Sequence, residues 1–361
     1  MLFFLGISIS IFLTVLLLLK KNKTKSEYIL NSWMFVISLH QIFFYLDYIK
    51  LSYSYPHFLG LELPFPVLHG SFLFLYVSEV TKNGLNDIKK IILTFTPFML
   101  LLVVSMPFYT LSSEQKLEVF VNDGKGFEWY SIIKNITIVA VGLFFTSWSL
   151  IMIRSHKKKI QNLFSNTDKK NLDWLKYLSF ALGIIWVLVI FFDDEIIFSG
   201  VVALVLFIGF FGINQLDIFT TKADLDHVNY KKDYVRYAKS GLKNEDAIIA
   251  YKNLSHLMRK EKLFTQSDLS LIQLSEQLEI NSNYLSQIIN EKENKNFNQY
   301  INTFRVQEFM SRLSNKEHEK LTLLSIAYDC GFNSKSTFNK YFKAHTGKTP
   351  TEYLNSIKDS L

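Results

Sequence analysis

The sequence predicts an all-α protein: a seven-helix transmembrane domain followed by a cytoplasmic domain with two helix-turn-helix units. Three observations carry that expectation. Apolar residues crowd the stretch before Asn214, whereas Lys222 to Leu361 has ordinary globular composition, so two solvents are implied, lipid for the first part and water for the second. Seven apolar runs in the first part approach the length a bilayer demands, about 20 residues at roughly 1.5 Å each. Two similar helix-pair patterns recur in the second part, with Ser282 and Ser334 at corresponding places.

The chain has 361 residues, of which 49% are hydrophobic, with 33 Phe. That length accommodates two or three domains, with boundaries expected at 1–215 for the spans, 216–265 for a helical connector and 266–361 for the paired helix-turn-helix units. The single cysteine, Cys330, excludes an intrachain disulfide and a multi-cysteine zinc site and reads as a small core residue. Net charge is +7, but from Lys222 onward there are 21 Lys/Arg against 17 Asp/Glu. Overall basicity is therefore weak support for a nucleic-acid partner, and the location of charge decides more.

The runs lie near Leu2 to Leu19, Ile29 to Ile49, Phe58 to Val80, Ile91 to Tyr109, Ile132 to Ile153, Trp174 to Phe192 and Ile196 to Ile213. The first has no basic residue ahead of it and no A-x-A-like cleavage site, so it reads as a retained span, not a secretory signal. With the amino terminus outside, the inner loops hold thirteen Lys/Arg, from Lys20 to Lys170, and the outer loops hold Lys50, Lys116 and Lys125. This asymmetry predicts a multi-pass protein of the bacterial inner membrane with its carboxyl-terminal half in the cytoplasm.

Ionisable side chains inside spans are candidate functional sites because burying them in lipid is costly. The second run carries His40 and Asp47, the third Glu62 and His69. In an antiparallel hairpin Asp47 pairs in depth with Glu62, and His40 with His69, the two pairs separated by roughly 10 Å of helix rise. Two readings stand: an outward-opening sensing pocket, or interhelical hydrogen bonds that hold the hairpin together. Pro64 and Pro66 are placed to break the third helix. The acids at Asp193 to Glu195 read as a tight outer turn, since three acids without histidine within one turn of chain offer a metal little geometry. No metal, cofactor or catalytic site is expected, and neither a GxxxxGK[ST] loop nor a G-x-G-x-x-G fingerprint is present.

In the connector, a helix beginning at Asn244 has an apolar stripe of Ala247, Ile248, Tyr251, Leu254 and Met258, which must pack against the following core or a second copy. Beyond it, "LIQLSEQLEINSNYLSQIIN" and "LTLLSIAYDCGFNSKSTFNKYFK" each read as helix, turn, helix. Gly331 suits a turn with positive φ and Ser334 suits a cap. The outward residues are Asn283, Ser286 and Gln287 on one second helix, and Lys335, Ser336, Thr337, Asn339, Lys340 and Lys343 on the other. Asn and Gln can bond adenine edges, Ser several bases, and Lys guanine edges or phosphates. Between Cys330 and Thr351 there are four lysines and no acid. A helix over about 298–313 would space the units for successive major grooves.

The region from about Asp268 to Ser356 resembles the AraC/XylS family of transcription regulators, most densely in "SIAYDCGFNSKSTFNKYFKAHTGKTPTEY". "NFNQYINTFRVQEFMSRL" looks like that family's linking helix, with Arg305 at its characteristic arginine, and "YAKSGL", "LSQIINE" and the span layout resemble a membrane-embedded branch. Glu279 stands where many members have glycine, and Leu354 where arginine usually follows tyrosine. The resemblance implies a non-enzymatic, membrane-bound one-component regulator that couples a signal to double-stranded promoter DNA, with RNA polymerase and a homodimer as partners. The alternative is a transporter-like or receptor-like membrane protein whose helical domain is a protein-interaction module.

Overall fold

The computed structural model describes residues 2–81, 88–168, 170–192, 194–215 and 244–358. Lys82, Lys169, Asp193 and the first part of the connector lie outside the described residues. Among those described, every regular element is helical and the sole β-pairing is an isolated bridge between Phe164 and Ser270.

Each of the seven apolar runs carries an α-helix: α1 (Leu2–Leu19), α2 (Lys25–Tyr48), α3 (Phe65–Val80), α4 (Ile88–Tyr109), α6 (Glu128–Leu163), α7 (Asp173–Leu188) and α8 (Asp194–Gln215). Three of them, α2, α4 and α6, are long and apolar enough to cross a membrane by length and composition; Phe3–Leu19, Phe65–Val80 and Glu195–Phe211 are shorter apolar helices. The connection between α4 and α6 contains α5 (Ser113–Val121), begun by a capping box of Ser112 and Gln115. A second capping box, Thr24 with Glu27, starts α2, where Glu27 also pairs with Lys20 at 2.7 Å.

Two local expectations need correction. The third run is not helical from Phe58: a 3₁₀ turn Pro56–Phe58, Gly60 at φ 76° and Pro64 delay α3 to Phe65. Glu62 therefore precedes α3, and the seven-residue helical spacing to His69 does not hold. Asp194 and Glu195 open α8 instead of forming a turn.

The chain divides into two compact units. The first comprises 1–155 and 172–220; in it α1 packs on α2 and α8, α2 on α3, α3 on α4, and α7 on α8. Hydrogen bonds stitch these helices where polar groups are buried: Ser10 donates to Gln41 Oε1 at 3.0 Å, and Ser71 to the Thr94 carbonyl at 2.9 Å.

The second unit comprises 156–171 and 221–361, so it takes in the last turns of α6 and the loop after it. Its further helices are α9 (Asn244–Arg259), α10 (Leu271–Gln277), α11 (Ser282–Glu293), α12 (Phe297–Ser314), α13 (Leu323–Asp329), α14 (Lys335–Thr346) and α15 (Pro350–Lys358). On α9, Leu254 and Met258 enter the core with Leu271, Leu274 and Phe297, so the stripe packs within its own unit. Ile248 does not join it; it is exposed, and Ala250 is buried instead. Around the second helix pair, Phe309, Phe338 and Phe342 pack with ring centroids 4.6–5.6 Å apart over the buried Cys330.

Candidate DNA interface and candidate sensing cavity

The two helix-turn-helix units use different chemistry for the same bend. In the first, Glu279 takes the left-handed conformation at φ 53°, where glycine would be at home. Asn281, not Ser282, then caps α11 through the Asn283 amide at 2.8 Å. In the second, Gly331 has φ 96° and Ser334 caps α14 through the Thr337 amide at 3.2 Å. The second turn is one residue longer, so Ser282 and Ser334 are not equivalent caps. A Cβ on Gly331 would stand 2.7 Å from the Phe264 carbonyl and 2.9 Å from Arg305 Nε. Glycine there permits both the turn and the close approach of the buried arginine.

Arg305 is 1% exposed on the linking helix α12. It donates to the carbonyls of Phe264 (2.7 Å), Gln266 (2.7 Å) and Ser267 (3.2 Å) and to Ser165 Oγ (3.1 Å). Burial draws its guanidinium down to about 10, against the pull of Asp268 and Cys330, so it stays charged at neutral pH. The side chain ties the turn before α10 to the helix that spaces the two units. Burial also pushes the Cys330 thiol up to about 11, which leaves it a neutral packing group.

Of the candidate DNA-reading residues, Gln287, Lys335, Ser336, Lys340 and Lys343 are exposed, and Asn283, Ser286, Thr337 and Asn339 are half-buried. Gln287 donates to Glu291 at 2.7 Å, and Thr337 donates its hydroxyl to Asp168. On α12, Asn298 and Asn302 lie on one buried stripe with Arg305. They donate to the Ser165 carbonyl at 2.7 and 3.1 Å. The sequence reading missed these asparagines and Asp168; polar residues at i, i+4 and i+7 on a helix face that also carries Phe309 were the available signal.

In the first unit, His40, Asp47, Glu62 and His69 line one cavity of about 430 Å³. His40 Nδ1 and His69 Nε2 are 2.9 Å apart, and Trp33 Nε1 donates to His69 Nδ1 at 3.4 Å. Asp47 accepts from Ser52 Oγ at 2.9 Å. Lys134 and Trp186 also line the cavity, and the buried Trp186 indole N–H has no hydrogen-bond partner among the described residues. Among the described residues no group of three or more His, Cys, Asp or Glu is placed to hold a metal ion.

Residues 274–356 match the family model described as a helix-turn-helix domain. The match begins in α10 and ends in α15, taking in both recognition helices and the linking helix. No curated protein and no solved structure matches the chain. Residues 274–356 of the second unit thus form a helix-turn-helix domain, an architecture whose second helix enters the major groove in DNA-binding proteins.

Proposed function

We propose that the chain is a membrane-bound one-component transcription regulator of AraC type, in which seven spans register a signal and the second unit binds promoter DNA. The observation that carries this reading is the tandem helix-turn-helix domain, with lysines and amides exposed on its second helices. Membrane residence is supported by helices such as α4, on which Ile92, Leu93, Leu100 and Val103 are each more than half exposed. An apolar surface of that kind is unfavourable in water and ordinary in lipid. The lysine and arginine asymmetry favours an outside amino terminus and a cytoplasmic DNA-binding unit.

The cavity with His40, Asp47, Glu62 and His69 is the proposed signal site. Its mixed lining of aromatic rings, carboxylates and a histidine pair suits a small ligand with one polar end. A ligand that binds one arrangement of the spans better than another would shift their populations, and the second unit, as a homodimer, would then recruit RNA polymerase. Mapping genomic occupancy of the full-length chain tests the reading, with discrete peaks expected at promoters. The His40→Leu/His69→Leu double variant should keep those sites and change transcription from them at least about fivefold. Occupancy without promoter enrichment would refute DNA control, and unchanged transcription would refute the cavity as signal site.

A further inference from the structure

The loop that follows α6 is docked on the DNA-binding domain within the second unit. Ile160, Leu163 and Phe164 sit in its core beside Leu254, Leu271 and Leu274. The Ser165 amide donates to the Leu269 carbonyl at 3.1 Å, and Asn298 donates to the Phe164 and Ser165 carbonyls at 3.0 and 2.7 Å. Held in this way, the chain delivers Asp168 to the amino terminus of α14. There Asp168 Oδ2 accepts from Ser334 Oγ at 2.5 Å and Oδ1 accepts from Thr337 Oγ1. Asp268 stands alongside, accepting from Asn166 at 3.3 Å and Asn333 at 3.1 Å.

A recognition helix meets the duplex through its amino-terminal residues, and hydroxyls at a helix amino terminus are natural phosphate partners because the helix dipole favours an anion there. The Ser334 and Thr337 hydroxyls are already donating to a carboxylate, so they cannot donate to a phosphate at the same time. A fixed negative charge also stands where a polyanion must approach.

We propose that the Ser334/Thr337 pair is a phosphate-binding site of the DNA interface which Asp168 occupies, so that the loop after α6 and the duplex exclude one another. The loop is then an in-chain competitor carried on a candidate membrane-spanning helix, and its release is the step that frees the second recognition helix. This inference rests on the DNA-binding reading. It requires Asp168 to oppose DNA binding, whereas a purely structural clamp would assist it.

The test uses the full-length chain in lipid nanodiscs and a mixed-sequence duplex of about 40 base pairs, long enough for successive major grooves. Asp168→Asn should bind about tenfold more tightly than the unaltered chain, the scale expected when charge-assisted bonds to a competitor are lost. Equal or weaker binding by the variant overturns the proposal. As a second measurement on the unaltered chain, hydrogen exchange at Ser165 should accelerate on addition of duplex. Unchanged protection with the duplex at saturation overturns the proposal however the variant folds. Should neither chain bind duplex at any salt concentration, the DNA-binding reading fails and this inference with it; binding without release of the loop removes this inference alone.

Discussion

Arg305→Met is expected to lower the stability of the second unit by about 3–5 kcal/mol, the range for removing one partner from a buried charged network. Methionine matches the length of the stem but donates nothing. The carbonyl of the buried Phe264 would then lose its Arg305 donor, while those of Gln266 and Ser267 would keep only their bonds from the Leu269 amide and Ser165 Oγ; a buried carbonyl left bare costs about 1–3 kcal/mol. Native-state hydrogen exchange at Leu285, Ile289 and Phe309, all fully buried, reads the effect. Exchange should accelerate at least about a hundredfold at all three positions. Acceleration confined to Leu285 and Ile289 would show that Arg305 serves the first helix pair alone and does not couple the two. Arg305→Lys should recover only part of the loss, because one ammonium cannot reproduce a planar fork that reaches several oxygens.

Arg305 also shows how far the sequence could be read. Local physics was legible wherever one residue type answers one geometric demand. Gly331 at φ 96° and Ser334 as a cap are such cases, as is Cys330 in the core. The helices on the apolar runs were legible too, because a helix satisfies the backbone groups of a long apolar run within the run itself. The turn at Glu279 was legible from its position, where glycine stands in many members of the family the region resembles, but not from the residue, since nothing in a glutamate announces a left-handed backbone. The late start of α3 was partly visible in Pro64 and Pro66, but the displacement of Glu62 off the helix depends on Gly60 and the 3₁₀ turns before it.

What the sequence did not disclose was the contact between residues more than a hundred positions apart. Asp168 reaches Ser334 across 166 residues and Ser165 reaches Arg305 across 140, and no local periodicity encodes such a pairing. The asparagines at 298 and 302 were the only sequence-level trace, as amides on a face that otherwise packs. An amide on a buried face needs a partner, and here the partner is the main chain of a loop that leads away from a candidate membrane-spanning helix. The same accounting brings the cavity residues together: His40 and His69 meet because α2 and α3 pack side by side, while Asp47 and Glu62 reach the cavity from the segments that end and precede those helices.

The triple variant Lys335→Ala/Lys340→Ala/Lys343→Ala should lose about a hundredfold in duplex affinity near physiological salt, with a salt dependence flatter by about two to three in the logarithmic slope. The three side chains are exposed on α14, so their removal leaves the Phe338 and Phe342 core beneath them in place. If they meet phosphates, the loss is uniform across sequences, since neutralised phosphates carry no base information. Asn339→Ala behaves differently if it reads a base edge: it relaxes discrimination by about 1–3 kcal/mol at one position and leaves the salt slope alone. Titrating both variants against a panel of duplexes at several salt concentrations separates these roles. A triple variant with the original slope would mean that the lysines of α14 point at something other than the nucleic-acid backbone. The same titration discriminates a DNA reader from a protein-binding module, because counterion release from a duplex gives a steep linear dependence on the logarithm of salt that a protein partner of ordinary charge does not match.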